Sequence, residues 1–386
     1  KHRLYETILA SLEAFHADNS VDSRLRSALH QIEILYQRGL NKDAERMLRN
    51  LKQTASAHGK QWASLEAIEW ERRLMERSNY EAVSEQDLSA SLEEARLLRE
   101  ACELQDRLWG LKSRAFMLLY RQGKARDVRT LEQINALAKH PLLAEDRPHA
   151  TPRARFMRHH VLGSIAYATN ELQHCRVHLM TNQTLLNEHT AVFKDEPNLE
   201  LSVASNLAHI NMRLGLYEEA LEGLKRIKRL PLQMPEAPNA DLELKIFSMT
   251  ANLEISLLCR TGDFGKAIER LPAIARSIER YGERLSGIRR AGIRFQAAWI
   301  HFANNDMESP AHWCEDLLNE RGVEAHEEVF ALGRVLRLLI QFEMGKHELL
   351  RYEVRNVERF LKGHDRYHRF EQAMVKYVKA STIEPS

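Results

Sequence analysis

The stretch NLAHINMRLGLYEEALEGLKRIKRL, running from Asn206 to Leu230, carries the deciding pattern of the chain. Its apolar residues follow helical spacing as far as Leu214, Gly215 interrupts them, and Tyr217, Ala220, Leu221, Leu224 and Ile227 resume the spacing. That pattern describes a helix, a tight turn and a second helix. The same grammar returns in NLEISLLCRTGDFGKAIERLPAIA from Asn252, where Gly262, Phe264, Ala267, Leu271 and Ile274 occupy the places of Gly215, Tyr217, Ala220, Leu224 and Ile227.

Working outward, further turns fall at Gly39 in LYQRGLNKDAERML, Gly123 in LLYRQGKARDV, Asn170 in AYATNELQHCRVHL, Asn305 in HFANNDMESPAHW and Gly345 in QFEMGKHELL. A weaker turn at Ser78 and Asn79, in MERSNYEAV, fills the gap between Gly39 and Gly123. Gly and Asn are the residues that best tolerate a left-handed helix end. The turns recur at intervals of about 40–47 residues, giving about eight hairpins. A lone hairpin cannot hide its apolar face, and stacking the next one requires close backbone approach where Ala220 and Ala267 sit.

A Gly at the turn, an aromatic residue two positions later and Ala five positions after the Gly is the pattern of the tetratricopeptide repeat, which the chain resembles from about Arg24 to Phe360. The likeness is closest at Gly215 and Gly262 and fair at Gly39, while Val128, Cys175, Pro310 and Leu350 stand where Ala is expected. The period also exceeds the usual 34 residues, so this is a long-period variant. The resemblance implies an all-α fold, a right-handed superhelical solenoid of about eight antiparallel hairpins forming a single array over 1–386. Two proline-bearing segments, HPLLAEDRPHATPR (140–153) and LPLQMPEAPNAD (230–241), are the longest irregular connections. The first is expected to link, as a hinge, an N-terminal sub-array 1–139 and a C-terminal sub-array 154–386.

Composition agrees with helix and narrows the function. Only 16 Gly and 10 Pro occur in 386 residues, and the abundant Ala, Leu, Glu and Arg are good helix formers. The 56 basic and 54 acidic side chains leave a net charge of +2, too small for a long-range field that gathers nucleic acid, so no nucleic-acid partner is expected. Cys102, Cys175, Cys259 and Cys314 lack the spacing of a disulfide framework or zinc site and read as reduced thiols. No apolar run is long enough to span a bilayer, and KHRLYETILASLEAF lacks a signal peptide's apolar centre and cleavage site. A cytoplasmic location without membrane attachment is the expectation. Lys1 in place of an initiator Met points to a trimmed or partial chain, so a further effector domain stays open.

Catalytic motifs are missing: there is no Gly-rich phosphate loop, GxSxG elbow, HExxH or paired-Cys metal motif. The chain is therefore read as neither an enzyme nor a cofactor protein. His174 and His178, one helical turn apart beside Cys175, are the best metal candidates, and His364 and His368 share the spacing. With 18 His, chance pairs are expected, and no metal site is assigned. The basic runs RPHATPRARFMRHH (147–160) and KRIKR (225–229) read as solvated faces because aromatics are not interleaved for base stacking.

In tetratricopeptide arrays the first helix of each hairpin lines the concave face. Counting back from the turns, the resemblance places Tyr120, Arg121, His160, Ser164 and Tyr167 on that wall. Farther along it implies Asn206, His209, Met212 and Arg213, then Asn252, Ser256, Cys259 and Arg260. An arginine-lined face of this kind suits carboxylates or an acidic peptide, since guanidinium offers bidentate donors; pairing of those arginines with neighbouring Glu or Asp is the competing reading. The family's carboxylate clamp has its first Lys missing here, so its specificity for C-terminal peptides is not implied. Toward the C-terminus the wall turns apolar, with Phe295, Trp299 and Phe302, then Val335, Leu339 and Phe342: a hydrophobic docking surface, or simply core. The expected function is a scaffold or adaptor that holds a protein or peptide. The alternative is a regulatory sensor whose repeats bind a small peptide or ligand and change superhelical pitch.

Overall fold

A computed structural model describes residues 4–8, 11, 20–81, 83–122, 128–144, 147, 150–233, 239–320, 328–364 and 366–383. Every regular element among them is helical. In chain order the main helices are α1 (Val21–Gln37), α2 (Asn41–Ala57), α3 (Gln61–Arg77), α4 (Glu85–Gln122), α5 (Val128–Ala138), α6 (Pro152–Ala168), α7 (Leu172–Glu188) and α8 (Pro197–Arg213). They continue with α9 (Tyr217–Arg229), α10 (Ala240–Arg260), α11 (Phe264–Tyr281), α12 (Gly287–Ala303), α13 (Glu308–Leu318), α14 (Glu328–Glu343), α15 (His347–Gly363) and α16 (Arg369–Ile383). The chain divides into two compact units, Lys1–Ile210 and Asn211–Ser386, the division falling inside α8.

The turn chemistry follows the sequence. Gly39, Asn79, Asn170, Gly215, Gly262, Asn305 and Gly345 all have positive φ. After each, the next amide reaches back five residues, as in Leu40 N–H to Leu35 O at 2.9 Å, Leu216 to Asn211 at 2.9 Å and Asp263 to Leu258 at 2.9 Å. This closes the last helical turn in the way a left-handed cap allows. Gly123 lies outside the described residues. One such turn is additional: Gly59, at φ 59, joins α2 to α3 through Lys60 N–H to Ala55 O at 2.8 Å.

In the first unit, the expected break between the second and third hairpins is absent. α4 runs unbroken for 38 residues, because from 85 to 122 it meets no proline and one glycine, Gly110, and carries supporting pairs such as Arg96 with Glu93 and Glu100. Its middle is pinned by the Gln105 amide, which donates to Gln61 Oε1 and Thr151 Oγ1, both at 3.2 Å. Before that point α4 packs beside α3, where Lys52 of α2 bridges Glu71 and Glu94. Beyond it α4 packs beside α6, with the Phe116 and His160 rings 5.2 Å apart. Two separate cores result. One gathers Leu25, Ile32, Leu48, Leu51 and Leu74; the other gathers Leu108, Leu111, Ile134, Val161 and Ile165. The two hairpin pairs therefore meet end to end along α4 instead of stacking side by side.

The segment after α7 seals that junction. Asp195 accepts from Val21 N–H at 3.0 Å, His58 Nδ1 contacts Ala191 O at 2.7 Å, and Arg153 donates to Val192 O at 2.8 Å. The link 140–153, expected to be irregular, contains a helical turn at Pro141–Ala144 whose Leu142 and Leu143 are buried in the second core. Apolar side chains in the link explain the difference.

In the second unit, first helices of successive hairpins pack on one another as well as on their own partners: α10 on α12 and α12 on α14. Arg289 Nη1 donates to Ser248 Oγ at 2.6 Å and Gln296 Nε2 to Ser256 Oγ at 2.8 Å, so α10 and α12 run side by side in fixed register. Glu320, only 5% exposed, is gripped by Arg290 at 2.7 Å and by Arg294, which ties the end of α13 to α12. Among the described residues no helix is long and apolar enough to cross a membrane.

Candidate functional site

The expected wall residues fall into two environments. In the first unit those that are described, Asn206 excepted, are packed. No residue of α6 is exposed: its neighbours are α4, α5 and α7, and bulky rings fill the seam. His160 sits against Phe116 at 5.2 Å and Phe156 at 5.8 Å, and burial, aided by the charge of Lys112, pushes its imidazole down to about 4. It is half-buried and neutral at neutral pH, packed between two rings. Ser164 turns its hydroxyl onto His160 O at 2.7 Å. Tyr167 and His209 are brought together, with ring centroids 6.5 Å apart, while Asn206 is exposed. Tyr120 and Arg121 end α4, and their side chains lie outside the described residues.

In the second unit the wall is open. Asn252 and Arg260 on α10, and Arg289 and Trp299 on α12, are exposed; Arg213, at the end of α8, is half-buried. The stripe Ser248, Asn252, Ser256, Arg260 advances by single helical turns, and Arg289, Gly292, Gln296, Trp299 does so on α12. Since Ser248 meets Arg289 and Ser256 meets Gln296, the same register sets Asn252 opposite Gly292 and Arg260 level with Trp299. Neither Asn252 nor Arg260 has a hydrogen-bond or ion-pair partner among the described residues. Trp299 is 45% exposed, its ring 6.1 Å from that of Phe302. On α10, burial raises the Cys259 thiol to about 11, leaving it protonated and unreactive at neutral pH.

Farther along, the apolar residues are core. Phe295 and Phe302 pack against Ala298, Cys314, Leu336 and Ile340, Val335 is buried, and Phe342 meets Tyr377 edge-on at 5.7 Å. The metal candidates do not converge. His174 is exposed and pairs with Glu171 at 2.8 Å, whereas His178 turns to His159, Nδ1 to Nδ1 at 3.1 Å, and Cys175 is buried. Among the described residues no group of three His, Cys, Asp or Glu is placed to hold a metal ion.

Sequence reasoning missed Gly292, Gln296 and Arg289. Gly292 is the informative one, because a glycine inside a helix costs up to about 1 kcal/mol relative to Ala, yet a Cβ built there meets nothing within 4 Å. Packing does not require it. The signal was available in RRAGIRF, a glycine inside a helical pattern. Compared with known proteins, the chain matches no family profile, and no curated protein matches it.

Proposed function

We propose that the chain is a protein- or peptide-binding scaffold of tetratricopeptide-like architecture and that the wall of α10 and α12 is its binding face, taking an acidic segment of a partner. The supporting observation is the unpartnered pair Asn252 and Arg260 held level with Gly292 and Trp299 on helices locked in register by two side-chain hydrogen bonds. Arg260 offers a carboxylate two parallel donors, and Asn252 offers one donor group and one acceptor, as a peptide bond demands. Trp299 gives an apolar anchor of the kind that dominates interface energetics. Gly292 lets a backbone come close. Because the wall is formed before binding, the partner carries most of the ordering cost. The packing of α10, α12 and α14 in sequence supports a solenoid. This is the chemistry of holding.

Selection from a displayed random-peptide library tests the reading. The wild-type chain should enrich Asp- and Glu-containing peptides, and Arg260→Glu or Trp299→Ala should weaken their binding by at least about 2 kcal/mol while circular dichroism is unchanged. Enrichment without acidic preference, or peptides indifferent to both substitutions, overturns it.

A further inference from the structure

The C-terminal hairpin carries a second surface. Between Lys346 and Ile383 the sequence holds nine Lys and Arg against five Asp and Glu, a local excess that the chain-wide balance conceals. The structure then removes most of the acids from the outside. Glu353 is paired with Arg337 at 2.9 Å, Glu358 is held by Lys362 at 2.8 Å and by Lys379, and Glu371 is buried. Arg351, Arg355 and Arg359 on α15, with Arg369 and Lys376 on α16, are exposed and have no carboxylate partner among the described residues.

These cations are ordered. Arg351, Arg355 and Arg359 climb α15 by single turns, about 6 Å apart, close to the separation of successive phosphates in an unstacked strand. The Glu358–Lys379 contact fixes which side of α15 faces α16, and helical spacing puts Arg351 and Arg355 on that side of the outward face. Arg369 and Lys376, seven residues apart, line the opposite bank. Rings flank the basic seam. Tyr352, 62% exposed, stands on the outward face of α15, while Phe370 and Tyr377, both 54% exposed, border the track from the side of α16 turned away from Lys379, where Tyr377 meets Phe342 edge-on. Large aromatics so exposed on neighbouring helices call for a partner.

We infer that the α15–α16 seam binds single-stranded nucleic acid, with the arginines on phosphates and Tyr352, Phe370 and Tyr377 stacking on bases. A cationic track bordered by π faces is what a single strand requires, and four of the five unpaired cations are Arg, which grips phosphate bidentately. An acidic peptide uses the charges and leaves the rings idle. A duplex hides its bases from them. This site is independent of the α10–α12 wall.

Fluorescence anisotropy with a fluorescein-labelled oligo-dT of about 20 nucleotides tests it. Binding should exceed that of a duplex of equal length and weaken steeply with salt. Substituting Arg351, Arg355 and Arg359 together by Ala should flatten the log–log salt slope by about two units. Phe370→Ala with Tyr377→Ala should weaken binding at least about tenfold at unchanged slope. Circular dichroism of each variant guards against unfolding. No binding at about 50 mM salt, equal affinity for strand and duplex with indifference to the rings, or tighter binding of polyglutamate or phosphatidylserine vesicles than of the oligonucleotide would each overturn the assignment.

Discussion

Helices α6 and α12 occupy equivalent places, each the first of its hairpin and each packed beside the first helix of a neighbouring one, yet they present opposite faces. Along α6 the seam residues are large: Phe156, His160 and Tyr167, with Phe116 opposite from α4. No residue of α6 is exposed. Along α12 the seam is made of Ser248, Ser256, Gly292 and Gln296, and the side chains of Asn252, Arg260 and Trp299 stand clear of it. What separates a packed wall from an open one here is the volume of a few seam residues, since the hairpin grammar is common to both.

The largest effect that can break this comparison comes from placing a charge at equivalent positions of the two walls. His160→Asp sets a desolvated carboxylate against Phe116 and Phe156, which the charge of Lys112 offsets only in part, and should cost at least about 2 kcal/mol, whereas Asn252→Asp should stay within about 0.5 kcal/mol. Urea midpoints measure both, and equal costs would mean that the two walls are alike. Acid sharpens the contrast. A free imidazole titrates at 6.5 and that of His160 at about 4, so between those values the unfolded chain binds a proton that the folded one refuses. Its contribution is complete above pH 6.5, falls as the pH drops from 6.5 to 4, and levels off below; the loss approaches about 3 kcal/mol. His178, lowered by burial and by the charge of Arg158, adds to the same slope. In the second unit Glu358, held by Lys362 and Lys379 down to about 2 from 4.5, keeps its contribution above pH 4.5 and loses it between 4.5 and 2. Denaturation profiles should show destabilisation of the first unit at pH 5, and His160→Gln should remove most of it. A first unit as stable at pH 5 as at pH 7 would place His160 in solvent.

Much of this fold was legible because helix ends are local. A left-handed cap needs Gly or Asn whatever surrounds it, and seven of the turns read from the sequence carry that geometry, from Gly39 to Gly345. Gly59 escaped notice because Gln61 and Ser64 stand where the turns at Gly215 and Gly262 place an aromatic residue and Ala. The continuity of α4 escaped for the opposite reason: separate hairpins turning at Asn79 and Gly123 imply a link between them, and the composition supplies no breaker there. Site residues were harder, since periodicity gives the face of a helix and says nothing of what lies across it. His160 and Asn252 share a sequence rule and differ by their neighbours. The α15–α16 seam was hidden by averaging, a net charge of +2 concealing a local surplus.

The smallest effect separates packing from function inside the second unit. Gly333 and Gly292 both lie within first helices, on α14 and α12. A Cβ at Gly333 meets Leu317 Cδ2 at 2.5 Å, so Gly333→Ala must displace that side chain and should destabilise by about 1–2 kcal/mol. A Cβ at Gly292 meets nothing within 4 Å, so Gly292→Ala should stabilise by about 0.5–1 kcal/mol by removing freedom from the unfolded chain. The added methyl then stands opposite Asn252, where a partner's backbone is proposed to approach. Thermal midpoints should rise while binding of the selected acidic peptides falls, a pairing that a merely structural glycine does not give. A stabilised variant that binds unchanged would leave the α10–α12 wall without its close-approach position and shift the weight of recognition to Arg260 and Trp299.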